Sequence, residues 1–347
     1  MKSRIYCPIL KWKAGEKVAL EKLTPSQKSS IIPILELVDC GDPERIIGEL
    51  NLTLKGQPAY LDTHYCDDNG SLLKSILELA REHDLNYFPV LYYDDLPEYA
   101  DGLLYLAKRA LFRIPVPEDI DGDNYDSIFK SLVDWKKERD TPIDIMLDVN
   151  FMDGKVQAST KLSELKTVIR SHVLNCDCIE YVIIASTSFP EDLSGLASGE
   201  DTFIERYEIK IFNKLFIEPE FSLIKDRLRM SDYGVTRFTD TDLDFSRMKY
   251  GILPKARYTL QDKYWILKGK KDRTTKIMIR GHKEIALEIY RSPYYYGESF
   301  SYGDLDLKER ALGENGKGPG NNTSWVTIAA NHHIVAVTDE LSKLYEL

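Results

Sequence analysis

The chain has 347 residues, 43% hydrophobic and 29% charged, and its 46 basic and 56 acidic side chains give a net charge of −10. That length exceeds one average domain but suits an α/β barrel of about 250 residues carrying an extension. No apolar run approaches the roughly 18 residues of a membrane span, and the opening MKSRIYCPILKWK enters a strand-like run too early for a signal peptide. The expectation is a cytoplasmic globular protein with no membrane partner, whose acidity works against nonspecific binding of polyanions.

Along the chain one unit repeats about eight times: a short apolar run, a polar or charged residue where it ends, then a helical stretch. Strands are expected at 5–11, 31–37, 59–63, 87–92, 111–114, 143–148, 180–185 and 233–238, several almost wholly apolar, as strands covered on both faces must be. Amphipathic helices are expected at 16–23, 43–50, 71–83, 96–109, 126–137, 161–173 and 202–216, with Asp42 before Pro43 as an N-cap and a first-turn proline. Eight strands alternating with helices predict a TIM-like (β/α)8 barrel over residues 1–255. The rival, an open doubly wound sheet, lacks its glycine fingerprint, since the first turn reads KWKAGEK; no phosphate loop is present and the residues name no cofactor.

Beyond the barrel, residues 256–347 read as a C-terminal extension packed on it. A hairpin is expected from 256–259 and 264–267, then helices at 276–290, 305–312 and 323–344, with the glycine-rich stretch 313–322 (GENGKGPGNN) as a mobile loop. From Lys255 onward there are 15 basic and 12 acidic residues, so this part is slightly positive on an acidic protein. Lys268, Lys270, Lys271 and Arg273 form the centre of a basic segment interleaved with Tyr264 and Trp265. Cations beside aromatic faces suit a nucleotide or nucleic acid, an acidic protein partner, or simply a solvated surface.

Five cysteines, Cys7, Cys40, Cys66, Cys176 and Cys178, argue against a disulfide framework in a large chain. Cys176 and Cys178 are spaced too closely for a usual zinc pair and are read as buried or incidental thiols. Cys7 alternates with Ile5 and Ile9 and faces the core.

Side chains two apart on a strand share a face, so Lys11 with Lys13, Asp62 with His64, and Asp148 with Asn150 point together. With Glu36, Tyr92, Asp94 and Arg113 they would ring one barrel mouth. Such a ring could hold a divalent metal through Glu36, Asp62, His64 and Asp148, or a phosphate through Lys11, Lys13 and Arg113; equally, it could be a salt-bridge network that satisfies rim polar groups. His332 and His333 lie about 100° apart on a helix and cannot chelate one metal together; one could reach the mouth or a ligand while the other faces solvent, or the histidines could be hydrogen-bonded structural residues. Lys11, Glu36, Asp62, His64, Asp148 and His333 are the candidate catalytic residues; Lys13, Arg113, Lys268, Lys270, Lys271 and Arg273 are the candidate phosphate or nucleic-acid contacts. Ser186, in ASTSFP, lacks a nucleophile elbow.

The stretch Tyr6-Cys7-Pro8-Ile9-Leu10-Lys11-Trp12-Lys13-Ala14-Gly15-Glu16, then Ala19-Leu20 and Ile32-Pro33-Ile34-Leu35-Glu36, resembles the beta protein family of phages and bacteria. Ser324-Trp325 and His332-His333 are similar to that family's ending. Lys11, Lys13, Glu16, Glu36 and His333 match the pattern. The resemblance implies a place in phage and host conflict, as an antidote or regulator acting on a companion protein or as a component of an antiviral module, and it implies no catalytic assignment. Two functions therefore stand open: a binding module using the C-terminal surface, or a barrel enzyme acting on a phosphorylated metabolite, nucleotide or nucleic acid.

Overall fold

The computed structural model describes residues 5–39, 41–67, 70–92, 100–116, 122–138, 140–190, 193, 195–236 and 253–346. Cys40, Asp94 and Phe238 lie outside the described residues. Two compact units make up the chain: Met1–Trp12, Lys28–Ser188 and Tyr207–Tyr233 form the first, and Lys13–Gln27, Phe189–Arg206 and Gly234–Leu347 the second.

In the first unit eight parallel strands, Ile9–Lys11, Ile34–Glu36, Ala59–Asp62, Tyr87–Tyr92, Ala110–Pro115, Ile143–Phe151, Ile179–Thr187 and Leu228–Ser231, are hydrogen-bonded in that order. Its edges meet where Tyr6 bridges Met230 and the amides of Cys7 and Ile9 donate to the carbonyls of Met230 and Asp232 at 2.8 Å, giving a nearly closed barrel. Parallel neighbours need crossovers, and helices Pro43–Leu54, Ser71–Glu82, Ala100–Leu106, Gly122–Glu138, Lys155–Val168 and Tyr207–Phe216 supply them. Asp42 caps the first of these by accepting the Arg45 N–H at 3.1 Å, with Pro43 in its first turn. Ser71–Glu82 turns Leu73, Ile76, Leu77 and Ala80 inward, the spacing of one helical face.

Strand alternation fills the barrel interior. Ile9, Ile34, Tyr60, Val90, Leu111 and Met146 belong to one buried cluster; each apolar side chain so buried contributes about 1.5–3 kcal/mol. Two residues further along the same strands stand Lys11, Glu36, Asp62, Tyr92, Arg113 and Asp148, on the same face by the two-residue period. Polarity therefore enters the interior at the C-terminal strand ends.

Three elements differ from expectation. The eighth strand is Leu228–Ser231 instead of 233–238: LRMS carries an arginine and is too short to stand out as an apolar run, while Tyr233 follows it and packs on the interior cluster. The expected helix 202–216 splits into a strand, Asp201–Glu205, and a helix that starts at Tyr207, because Thr202, Phe203 and Ile204 favour extended backbone. The expected helix 276–290 becomes a strand, Met278–Arg280, and a helix, His282–Arg291, separated by Gly281, whose N–H is accepted by Glu284 at 2.8 Å.

The second unit pairs Lys255–Thr259 with Lys263–Lys268, and the latter with Asp201–Glu205, all antiparallel; Lys270–Lys271 pairs with Met278–Arg280. Helices Ala14–Glu21, His282–Arg291, Tyr302–Leu312 and Asn322–Tyr345 accompany them. The last helix is buried on most sides, from Trp325 to Leu341. It meets Ala14–Glu21 so closely that a Cβ on Gly15 would lie 2.7 Å from a Val326 methyl; Thr327 donates to the Gly15 carbonyl at 3.0 Å and Asn331 to that of Ala19 at 2.9 Å. The glycine-rich stretch is anchored by Arg310 to the Gly318 carbonyl, Trp325 to that of Pro319, and an ion pair from Lys317 to Asp306. No described helix is long and apolar enough to cross a membrane.

Candidate functional site

Arg113, 6% exposed, organises the polar end of the barrel interior. Its Nε donates to Asp148 Oδ2 at 2.9 Å, Nη1 to Asp62 Oδ2 at 2.9 Å and to the Tyr92 hydroxyl at 3.0 Å, and Nη2 to the Tyr233 hydroxyl at 2.6 Å. Each phenol in turn donates a hydrogen bond, Tyr92 to Asp62 Oδ2 at 2.8 Å and Tyr233 to Asp148 Oδ2 at 2.5 Å. The carboxylates are fixed from their other oxygens: Asp62 Oδ1 accepts the His64 amide at 3.1 Å, and Asp148 Oδ1 accepts that of Asn150 at 2.9 Å. Asn150 has φ 60°, a left-handed conformation that asparagine tolerates. Burial works to strip the charge from Arg113, but Tyr233, Asp148, Tyr92 and Asp62 together hold it more firmly protonated than an arginine in water.

Glu36 is different. It is 1% exposed, and its Oε1 has no hydrogen-bond partner; Arg113 Nη1 stands 3.6 Å away, outside hydrogen-bond reach. Burial pushes its carboxyl up to about 7 against the pull of Arg113 and Lys11, with Asp62 and Asp148 adding to the rise. Lys11 is its register partner on the first strand. The strand ends thus gather three carboxyls around one arginine and one lysine, and a proton on Glu36 is what brings that set to balance.

Several sequence candidates stand elsewhere. The exposed His64 ring stacks on Tyr92 at 4.2 Å, beside the network rather than in it. Lys13 is exposed at the position just before the helix Ala14–Glu21 in the second unit. His333 also lies in the second unit, fully buried, its Nδ1 2.9 Å from the Thr259 hydroxyl. His332 spans Asp304 Oδ2 and the Thr259 carbonyl, both at 2.8 Å, and stacks on Tyr258 at 4.1 Å. Neither imidazole faces solvent, because their helix is enclosed. Lys268 directs its ammonium to the Leu193 and Leu196 carbonyls, while Lys270 and Arg273 are exposed.

Among the described residues no group of three or more His, Cys, Asp or Glu side chains is placed to hold a metal ion. Where a cation would sit between Asp62 and Asp148, the Arg113 guanidinium sits instead. Tyr233 is the member of the network that sequence reasoning missed. It follows the eighth strand, and nothing in its neighbours marks the hydroxyl as a link between Arg113 and Asp148.

Comparison with known proteins adds the context. Residues 6–339 match the family model described as Beta protein. The chain is also similar to Protein beta of Enterobacteria phage P4, 21% identical over 352 residues, covering 95% of this chain and 91% of that one. The match runs from the first barrel strand into the last helix, so it takes in both units, and the chain belongs to the beta protein family.

Proposed function

We propose that the protein works at the C-terminal strand ends of a TIM-like (β/α)8 barrel, with Glu36 as the group that gives or takes a proton. The observation behind this is the buried Oε1 without a hydrogen-bond partner, on a carboxyl pushed up to about 7. A general acid or base works best when its pKa lies near the operating pH, and an unmade buried hydrogen bond costs about 1–3 kcal/mol that a ligand can recover. Arg113, gripped by two carboxylates and two phenols, needs no rearrangement when the proton moves. The ligand would offer an N–H or O–H to Glu36, as the sugar or base of a nucleotide or phosphorylated metabolite does, with Lys11 contributing positive charge for the phosphate. Calorimetric titration with a panel of nucleotides and sugar phosphates at pH 6 and pH 8 tests this. Binding should change between the two pH values in the wild type by more than the ligand's own phosphate ionisation explains, and Glu36→Gln should remove that excess while the fold persists. Identical titrations for both proteins would sink the proposal.

A second function is favoured by the hairpin strand Met278–Arg280. Ile277 and Ile279 are 66% and 53% exposed, and Lys270, Arg273 and Lys276 stand exposed on the same hairpin. An apolar tip with a basic surround suits an acidic protein surface. This supports the antidote or regulator role in phage and host conflict, exerted on a companion protein. In cells expressing a companion toxic protein, the triple variant Lys270→Glu, Lys271→Glu, Arg273→Glu should lose protection while Glu36→Gln keeps it; the opposite pattern assigns function to the barrel.

A further inference from the structure

Cys176 and Cys178 flank Asp177 in the turn between the π-helical turn Ile169–Val173 and the strand Ile179–Thr187, and their sulfurs face each other at 2.7 Å. Arg227 clamps that turn by donating to the carbonyls of Cys176 at 3.3 Å and Ile179 at 2.9 Å, which fixes both ends of the cysteine segment. Cys176, 5% exposed, lines a cleft of about 360 Å³ with Asp126, Phe129, Ser171, His172 and Asn175, the route by which a small molecule would reach it. The barrel-end network uses neither thiol.

We propose that Cys176 and Cys178 form a reversible dithiol–disulfide site that reacts with a low-molecular-weight disulfide entering through this cleft. The Cys176 thiolate attacks one sulfur of the incoming disulfide, forming a mixed disulfide and expelling one thiolate. The Cys178 thiolate then attacks the Cys176 sulfur, closing the intramolecular bond and expelling the second. The two thiols lose two electrons and two protons, and the small disulfide leaves as two thiols. The sulfurs already face each other at 2.7 Å, so closure has to bring them only from that separation to the roughly 2.05 Å of a disulfide.

The order of attack follows from the environment. The hydrogen bond from Cys178 lowers the Cys176 thiol to about 7, with Arg227 assisting, while the same contact pushes Cys178 up. A thiolate is the nucleophile, so Cys176 attacks and Cys178 resolves. Cys7 belongs instead to the barrel-interior cluster.

The experiment uses the reduced full chain treated with oxidised glutathione at pH 7, then alkylated and digested with trypsin. One tryptic fragment, residues 171–206, carries Cys176 and Cys178 and no other cysteine. In the wild type both sites should become resistant to alkylation together, with loss of two hydrogens and recovery on reduction. Cys178→Ser should stop at a glutathione adduct on Cys176, formed at least about tenfold faster than an adduct on Cys178 in Cys176→Ser. Full alkylation of the treated wild type would overturn the site. Equal rates in the two variants, or a faster Cys178, would overturn the assignment of Cys176 as the attacking thiol.

Discussion

The two ends of the barrel interior each set an arginine among carboxylates and tyrosines, Arg109 half-buried and Arg113 buried, and they differ in how the carboxylate oxygens are satisfied. At the N-terminal strand ends Arg109 donates to both oxygens of Asp144 at 2.8 Å, Tyr60 donates to Oδ2 at 2.6 Å, and the Tyr181 amide to Oδ1 at 2.9 Å, while Glu180 takes the other side of the guanidinium. Every carboxylate oxygen of Asp144 is used. At the C-terminal ends Arg113 is equally well satisfied, but Glu36 Oε1 is left without a hydrogen bond. A network with every oxygen bonded acts as a staple, whereas an oxygen without a hydrogen bond is what the proposed proton transfer at Glu36 draws on. In barrels the C-terminal end is also where sites are built, so position and chemistry agree.

The largest effects should come from breaking either staple. Arg109→Met strands Asp144, and Arg113→Met strands Asp62 and Asp148, each costing about 3–5 kcal/mol because a buried charge loses its partner. Chemical denaturation would read both. If Arg113→Met cost much less than Arg109→Met, the C-terminal network would be the looser of the two, and the fixed geometry proposed around Glu36 would fall.

Glu36→Gln should do the reverse, and pH gives it a sign. The folded state holds the Glu36 proton more tightly than the unfolded chain, so this contribution is fully present below the ordinary value of 4.5 and is lost as pH rises through about 7. Glutamine keeps the shape without the charge, so above pH 7 the variant should be the more stable by up to about 3 kcal/mol, the gap shrinking to nothing near pH 4.5. Denaturant midpoints of both proteins between pH 4.5 and 8.5 measure it. A constant difference across that range would mean that Glu36 does not titrate where the proposal needs it to.

Much of this was legible in the chain. Strand alternation placed Glu36, Asp62, Arg113 and Asp148 at the ends of apolar runs on one face, and the structure brings those four together. It could not show that Arg113 would occupy the centre, because strand register and side-chain reach are set by packing between strands far apart in sequence. Asp144 was hidden for a related reason: it sits second in a strand read as apolar, and only its meeting with Arg109 and Tyr60 explains it. The second unit was least legible, since it is assembled from three separated stretches, and the pairing of Asp201–Glu205 with Lys263–Lys268 has no local signature.

The smallest and most discriminating change is the loss of one hydroxyl at each end. Tyr60→Phe and Tyr233→Phe each remove a hydrogen bond to a buried carboxylate, so each should cost about 1–3 kcal/mol in denaturant midpoint. Their electrostatic consequences should part. Tyr60 touches only the saturated network, and its loss should leave the Glu36 titration where it was. Tyr233 is bonded to both Arg113 and Asp148, so its loss leaves the Asp148 charge less well spread and nearer in effect to Glu36, which raises the Glu36 carboxyl further. Following the carboxyl signal of Glu36 by NMR in both variants would show one unmoved curve and one shifted to higher pH. Two unmoved curves would mean that Glu36 is decoupled from the arginine network, and the comparison between the two ends would reduce to stability alone.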